Sequence, residues 1–200
     1  MTGVQTCALP ISKTLKEFVE YARKANPPIA YASAGNGSQH HLLMELLKAR
    51  AGINMLHVPY KGGAPAVAAT VAGDTMATIA GGPSTAPHVR SGALRLIAGT
   101  SAKRWELTPD LPVIGELYPG YEGTVWSAVF APNGTPAPII QRLHAEINTV
   151  LAEKEVAEIF GKSGGSMPYI STQAELLDTV RRDAEKYAKV VTDIKLTAEE

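Results

Sequence analysis

The residues best suited to chemistry lie in three short loops. Ala34-Gly35-Asn36-Gly37 separates a β-prone run ending at Ser33 from an amphipathic stretch. Glycines in such a place leave backbone N–H groups unobstructed at the positive end of a helix dipole, which suits a carboxylate. Ser38 then either caps the helix or offers its hydroxyl to a ligand. The same glycines serve equally well as a tight turn, with Ser38 only a cap. His41 falls in the first helical turn, where a neutral imidazole bonds the loop or a ligand, and bracing the loop is the simpler role. Tyr60-Lys61-Gly62 follows a second β-prone run, and Lys61 there is either positive charge for an anion or ordinary solvated surface. Gly81, Gly82 and Pro83 end a third run.

Several other chemistries are disfavoured. No third glycine and no following lysine accompany the Gly35–Gly37 loop, so dinucleotide and Walker-type readings fail and no cofactor is expected. His40 and His41 are adjacent, point to different helix faces, and so are not a metal pair. A hydrolase would pair Ser33 or Ser38 with His40, His41, His57 or His88, and no G-x-S-x-G elbow accompanies them. Nineteen basic residues balance nineteen acidic ones, which argues against a nucleic-acid tract or a polybasic membrane patch. Apolar runs are broken well before the roughly 18 residues of a membrane span. The one cysteine, Cys7, excludes an internal disulfide and a cysteine zinc cage.

The elements that must hold these loops follow from periodicity. Thr14 and Glu17 form a capping box ahead of Leu15, Phe18, Val19 and Ala22, which predicts a helix over 14–26 stopped by Pro27-Pro28. Ile29–Ser33 reads as strand and Ser38–Ala51 as a helix with Leu42, Leu43, Leu46 and Leu47 inward, stopped by Gly52. The unit repeats: strands at 55–58, 75–80 and 94–100, helices at 64–72 and 84–91. Short apolar runs alternating with helices predict an α/β fold with a parallel sheet covered on both faces, with ligands at the carboxyl ends of its strands. The Pro-rich stretch 101–123 reads as a linker between lobes. Beyond it, Val125–Ala131 reads as a buried strand, Thr135 as the cap of a helix to about Leu151, and a shorter helix runs to about Phe160. A second capping box at Thr172 and Glu175 opens a helix to about Ile194. Residues 1–12 show no periodicity and make no signal peptide. Because Cys7–Ile11 reads like a translated sequencing-adapter end, they are expected to be non-native or disordered and to pack against nothing.

The paired stretches Tyr31–Leu42 (YASAGNGSQHHL) and Leu56–Ala66 (LHVPYKGGAPA) resemble the signature of the Bug/TctC solute receptors of tripartite tricarboxylate transporters. Pro83–His88, Gly92–Arg95, Thr100–Arg104, Pro109–Pro112, Trp126 and Ala131–Pro136 follow in family order. The resemblance covers residues 13 to about 195. It implies a two-lobed clamshell, the type II periplasmic binding fold, with residues 13–125 as the ligand-binding lobe and 126–200 as the closing segment of an incomplete first lobe. It also implies a periplasmic monomer that captures a di- or tricarboxylate or related acid, hands it to membrane subunits and catalyses nothing. A sensing module for a signalling partner is the alternative, and a Ser/His hydrolase a more distant one. The ligand wall it implies comprises Ser33, Ala34, Gly35, Asn36, Gly37, Ser38 and His41, then Tyr60, Lys61 and Gly62, then Gly81 and Pro83. His40 departs from the family pattern. So does Ala80-Gly81, where many relatives carry an acid; the change removes a partner for a ligand ammonium and favours a plain carboxylate. Trp126 either lines the cleft or fills core under the last helices.

Overall fold

A computed structural model describes residues 2–7, 12–106, 108–162 and 168–193. Helix α1 (Leu15–Lys24) starts where Thr14 accepts the Glu17 N–H at 3.2 Å and buries Leu15, Phe18, Val19 and Ala22, one face of a 3.6-residue period. Strand β2 (Ala30–Ser33) leads through the glycine loop into α2 (Gln39–Ala51), which Ser38 caps and Gly52 ends in the left-handed conformation. Then come β3 (Leu56–Pro59), α3 (Gly63–Ala72), β4 (Ala77–Gly81), α4 (Gly82–Arg90) and β5 (Leu94–Gly99). β2 runs parallel to both β3 and β4, with Tyr31 opposite His57 and Ala77. The alternation of strand and helix therefore builds the predicted α/β layer, and Phe18, Tyr31, Leu43, Met44, Leu47 and Ile79 fill its core.

Three expectations are corrected. Thr2–Cys7 forms a strand, β1, inserted between β4 and β5 and antiparallel to both; Val4 lies opposite Ile79 and Ala98 and is fully buried. The sheet order is thus β3-β2-β4-β1-β5 and mixed. Strand pairing is made by backbone groups, and a gap between two edges accepts a hexapeptide whose side chains show no period. Leu9 and Ile11 lie outside the described residues. The stretch Val125–Ala131 forms no strand, and Val129 and Phe130 are 72% and 64% exposed. Helix α6 (Ala137–Leu151) is capped by Pro136; Thr135 instead donates its hydroxyl to the Pro132 carbonyl.

The Pro-rich stretch is packed, not loose. Gly99 donates to the Pro112 carbonyl and Gly123 to that of Thr100, both at 2.8 Å. A short helix, α5 (Ile114–Leu117), buries Ile114, and Tyr121 donates to the Leu43 carbonyl. Helices α7 (Lys154–Lys162) and α8 (Gln173–Asp193) follow α6. Thr172 and Glu175 make the reciprocal bonds of the expected capping box. Trp126 donates its indole N–H to Asp183 on α8 at 2.6 Å, which seats it under the last helix. No helix among the described residues is long and apolar enough to cross a membrane.

Candidate functional site

Because β2, β3 and β4 are parallel, their carboxyl ends share one sheet edge, and the three loops singled out above come together there. Tyr60 donates its N–H to the Ser33 carbonyl at 3.0 Å, joining the first loop to the second. Gly35 has φ of 123°, which calls for glycine, and a methyl group on it would lie in van der Waals contact with the Tyr60 carbonyl at 3.4 Å. A methyl on Gly63 would lie 3.9 Å from the His40 ring, joining the start of α3 to α2. Asn36, Gly37, Lys61 and Pro83 face solvent, Tyr60, Gly62 and Gly81 are half-buried, and Ser33 and His41 lie beneath.

The glycine loop is not the open cradle that its spacing suggests. Gly35 donates to Ser33 Oγ and Gly37 to His41 Nδ1, each at 3.1 Å; Ser38 N donates to the Gly35 carbonyl at 3.2 Å. His41 therefore braces the loop, and Ser38 accepts the His41 N–H as a cap. Uncapped donor capacity lies elsewhere. Helices α3 and α4 begin at Gly62 and Gly81, which have no side chain to cap the first-turn N–H groups, and α4 carries Pro83 in its first turn. None of α2, α3 and α4 has an acidic residue in its first turn. Three positive dipole ends with no local counter-charge thus meet at one edge, and Gly63 joins the positions that sequence reasoning singled out.

Beneath the loop lies a group of polar side chains that spacing did not reveal. The rings of His41 and His57 stack at 3.8 Å and 9°, and the Tyr31 ring lies beside the pair, 5.0 Å from His57 and 6.4 Å from His41. Tyr31 donates its hydroxyl to Glu45 at 2.5 Å, and Lys48 pairs with the same carboxylate at 2.6 Å. Burial, then the Glu45 hydrogen bond, pushes the Tyr31 hydroxyl far up. Ser33 Oγ lies 2.6 Å from His57 Nε2. Burial first, then the neighbouring His41, lowers His57 to about 4. The pair has the composition of a nucleophile and base, yet Ser33 is fully buried, and its Oγ accepts the Gly35 N–H while its single proton has the Gly35 carbonyl at 3.1 Å and His57 Nε2 as alternative acceptors. Only strand register puts His57 beside Tyr31, and register is invisible in either segment alone.

Two other features lie away from this edge. An open cavity of about 390 Å³, bordered by Lys24, Asn26, Ile29 and Asp74, sits at the opposite end of the strands. No group of three or more His, Cys, Asp or Glu among the described residues could hold a metal.

A family model described as tripartite tricarboxylate transporter family receptor matches residues 1–196. Among similar sequences, BugT of Bordetella pertussis is 38% identical over 172 residues, 85% of this chain and 52% of BugT. A protein of the tcbD-tcbE intergenic region of Pseudomonas sp. strain P51 is 34% identical over 192 residues, 93% of this chain and 56% of that protein. The chain spans about half the length of these curated relatives. Among solved structures, R. palustris Rpa4515 with adipate superposes with a TM-score of 0.89 at 28% identity, over 97% of this chain and 65% of that one. MatC from Rhodopseudomonas palustris with bound malate gives 0.86 at 26% identity, over 95% and 66%. The fold is that of these binding proteins, and the chain belongs to the tripartite tricarboxylate transporter receptor family.

Proposed function

We propose that this chain supplies one wall of a cleft that captures a small di- or tricarboxylate, as the periplasmic receptor of a tripartite tricarboxylate transporter. The observation that carries the reading is the meeting of three helix N-termini, free of first-turn acids, at the carboxyl edge of parallel strands. Adipate and malate in two solved relatives support the same ligand class. Residues 13–125 act as the ligand-binding lobe and 126–200 as the closing segment of the other, whose remainder corresponds to relative sequence that this chain does not span. Lys61 adds positive charge at the rim, and Ala80-Gly81 leaves no acid for a ligand ammonium. The receptor works as a monomer that docks on membrane subunits, and it holds its ligand unchanged, in keeping with the full burial of Ser33.

Each exposed helix end contributes about 0.3–1 kcal/mol to anion binding, so the wall alone binds weakly, and closure against a second lobe strengthens the same contacts by excluding water. Calorimetric titration of the full-length receptor with C4 to C6 carboxylates tests this. Gly37 has φ of 70° with open space around its α-carbon, a conformation that Asp and Asn tolerate. Gly37→Asp is expected to weaken binding about tenfold or more by charge repulsion, while neutral Gly37→Asn has little effect. Equal affinity in Gly37→Asp and the parent would sink the site.

A further inference from the structure

The glycine loop is held from below by two imidazoles. His41 Nδ1 accepts the Gly37 N–H at 3.1 Å, which requires that nitrogen to be unprotonated. Ser33 Oγ accepts the Gly35 N–H, and the Gly35 carbonyl already receives Ser38 Oγ at 2.7 Å and Ser38 N at 3.2 Å. That leaves the Ser33 proton best directed at His57 Nε2, 2.6 Å away. The two rings lie face to face at 3.8 Å, with Tyr31 beside them, 5.0 Å from His57 and 6.4 Å from His41. His57 thus reaches one glycine through Ser33 and orients the ring that holds the other. A face-to-face stack at this distance accommodates two neutral rings and resists a positive charge on either.

We propose that His57 is a positioning residue for the anion-binding edge: with His41 it forms an imidazole clamp that sets the Gly35–Gly37 loop when both rings are neutral and releases it on acidification. Charged and titratable groups that face the clamp among the described residues include Tyr31 from β2 and Glu45 and Lys48 from α2. Glu45 Oε1 lies 4.0 Å from His41 Nε2 and favours the cation, but the same carboxylate is engaged by Tyr31 and by Lys48. On His57, burial first and His41 next oppose a proton, and the smaller effects of Glu45, which favours it, and Lys48, which opposes it, work against each other. The consequence for binding rests on the carboxylate reading above; the consequence for the loop does not.

Amide hydrogen exchange of the full chain, corrected for intrinsic pH dependence and referenced to Ile79 in β4, reads the loop directly. Gly37 protection in the parent is expected to fall about tenfold between pH 7 and pH 4, the scale of one lost hydrogen bond. His41→Gln, whose amide oxygen accepts at any pH, is expected to abolish that fall. His57→Ala removes the stack and is expected to lower Gly37 protection about tenfold at pH 7, while His57→Phe keeps a ring there and restores it. A Gly37 amide that ignores acidification, or that is equally protected in His57→Ala and the parent, overturns the clamp. Titration of the same variants of the full-length receptor with succinate separates the two claims. Lost protection with unchanged succinate affinity keeps the clamp and overturns this edge as the carboxylate site, whereas affinity that follows protection supports both.

Discussion

At the scale of single residues, two positions illustrate how environment outweighs identity. His57 is an ordinary strand histidine by sequence, yet burial and His41 lower it from about 6.5 to about 4. A histidine depressed in the fold takes up its proton more readily when unfolded, so its contribution to stability is complete above pH 6.5 and is lost as pH falls toward 4. Urea melts at pH 7.5, 6, 5 and 4.5 are expected to show a smaller loss for His57→Phe than for the parent, with the difference opening below pH 6.5. Gly123 is the second position. A methyl group there would lie 2.1 Å from Cδ2 of fully buried Leu43 and 3.3 Å from the Tyr187 hydroxyl. Gly123→Ala is expected to cost about 1–3 kcal/mol by overpacking, read as a lower thermal midpoint. The role of Gly35 and Gly37 as turn glycines was legible, since both hold positive φ, 123° at Gly35, which calls for glycine, and 70° at Gly37, which glycine adopts freely. The occupation of their N–H groups was not, because His41 and Ser33 reach them only once helix and strand are placed.

At the scale of elements, helix limits were the most legible feature because their signals are local. Thr14 with Glu17, Ser38, Gly52 and the Thr172–Glu175 pair stop or start helices where their chemistry requires. Thr14→Ala is expected to lower stability by about 1 kcal/mol and Thr14→Ser to leave it nearly unchanged, as measured by urea unfolding; equal loss in both would mean that the Thr14 methyl, not its hydroxyl, matters. Strand β1 and the absent strand at 125–131 went unread for one shared reason. A strand exists through its neighbours: Thr2–Cys7 has two, β4 and β5, and Val125–Ala131 has none among the described residues.

At the scale of the molecule, the packed part and the unpacked part differ in kind. The layer built from β1 to β5 and α1 to α4 closes over two clusters, a large one under α1 and α2 and a smaller one of Val67, Ala80 and Leu94 under α3 and α4. Helix α6 has no buried residue, and Val129, Phe130, Ile139, Leu143, Ile159 and Leu177 stand exposed on 126–193. An apolar surface of this extent binds hydrophobic dye. The 200-residue chain is expected to enhance anilinonaphthalene sulfonate fluorescence at neutral pH, and Phe130→Lys with Ile159→Lys to reduce the enhancement without lowering the thermal midpoint. A chain that leaves the dye dark has covered that surface.

By itself the sequence determined the alternation of strand and helix, the helix caps, the glycine turns and, through ordered short motifs, the family, because each depends on neighbours within a few residues. Tertiary structure alone decided that β1 divides β4 from β5, that Tyr31, His41 and His57 stack, and that the open donors belong to α3 and α4. Those outcomes depend on strand register and on which edge faces which helix. Both are set by contacts between residues far apart in the chain, such as Tyr31 with His57 and Val4 with Ile79, for which a linear pattern of residue types holds no coordinate.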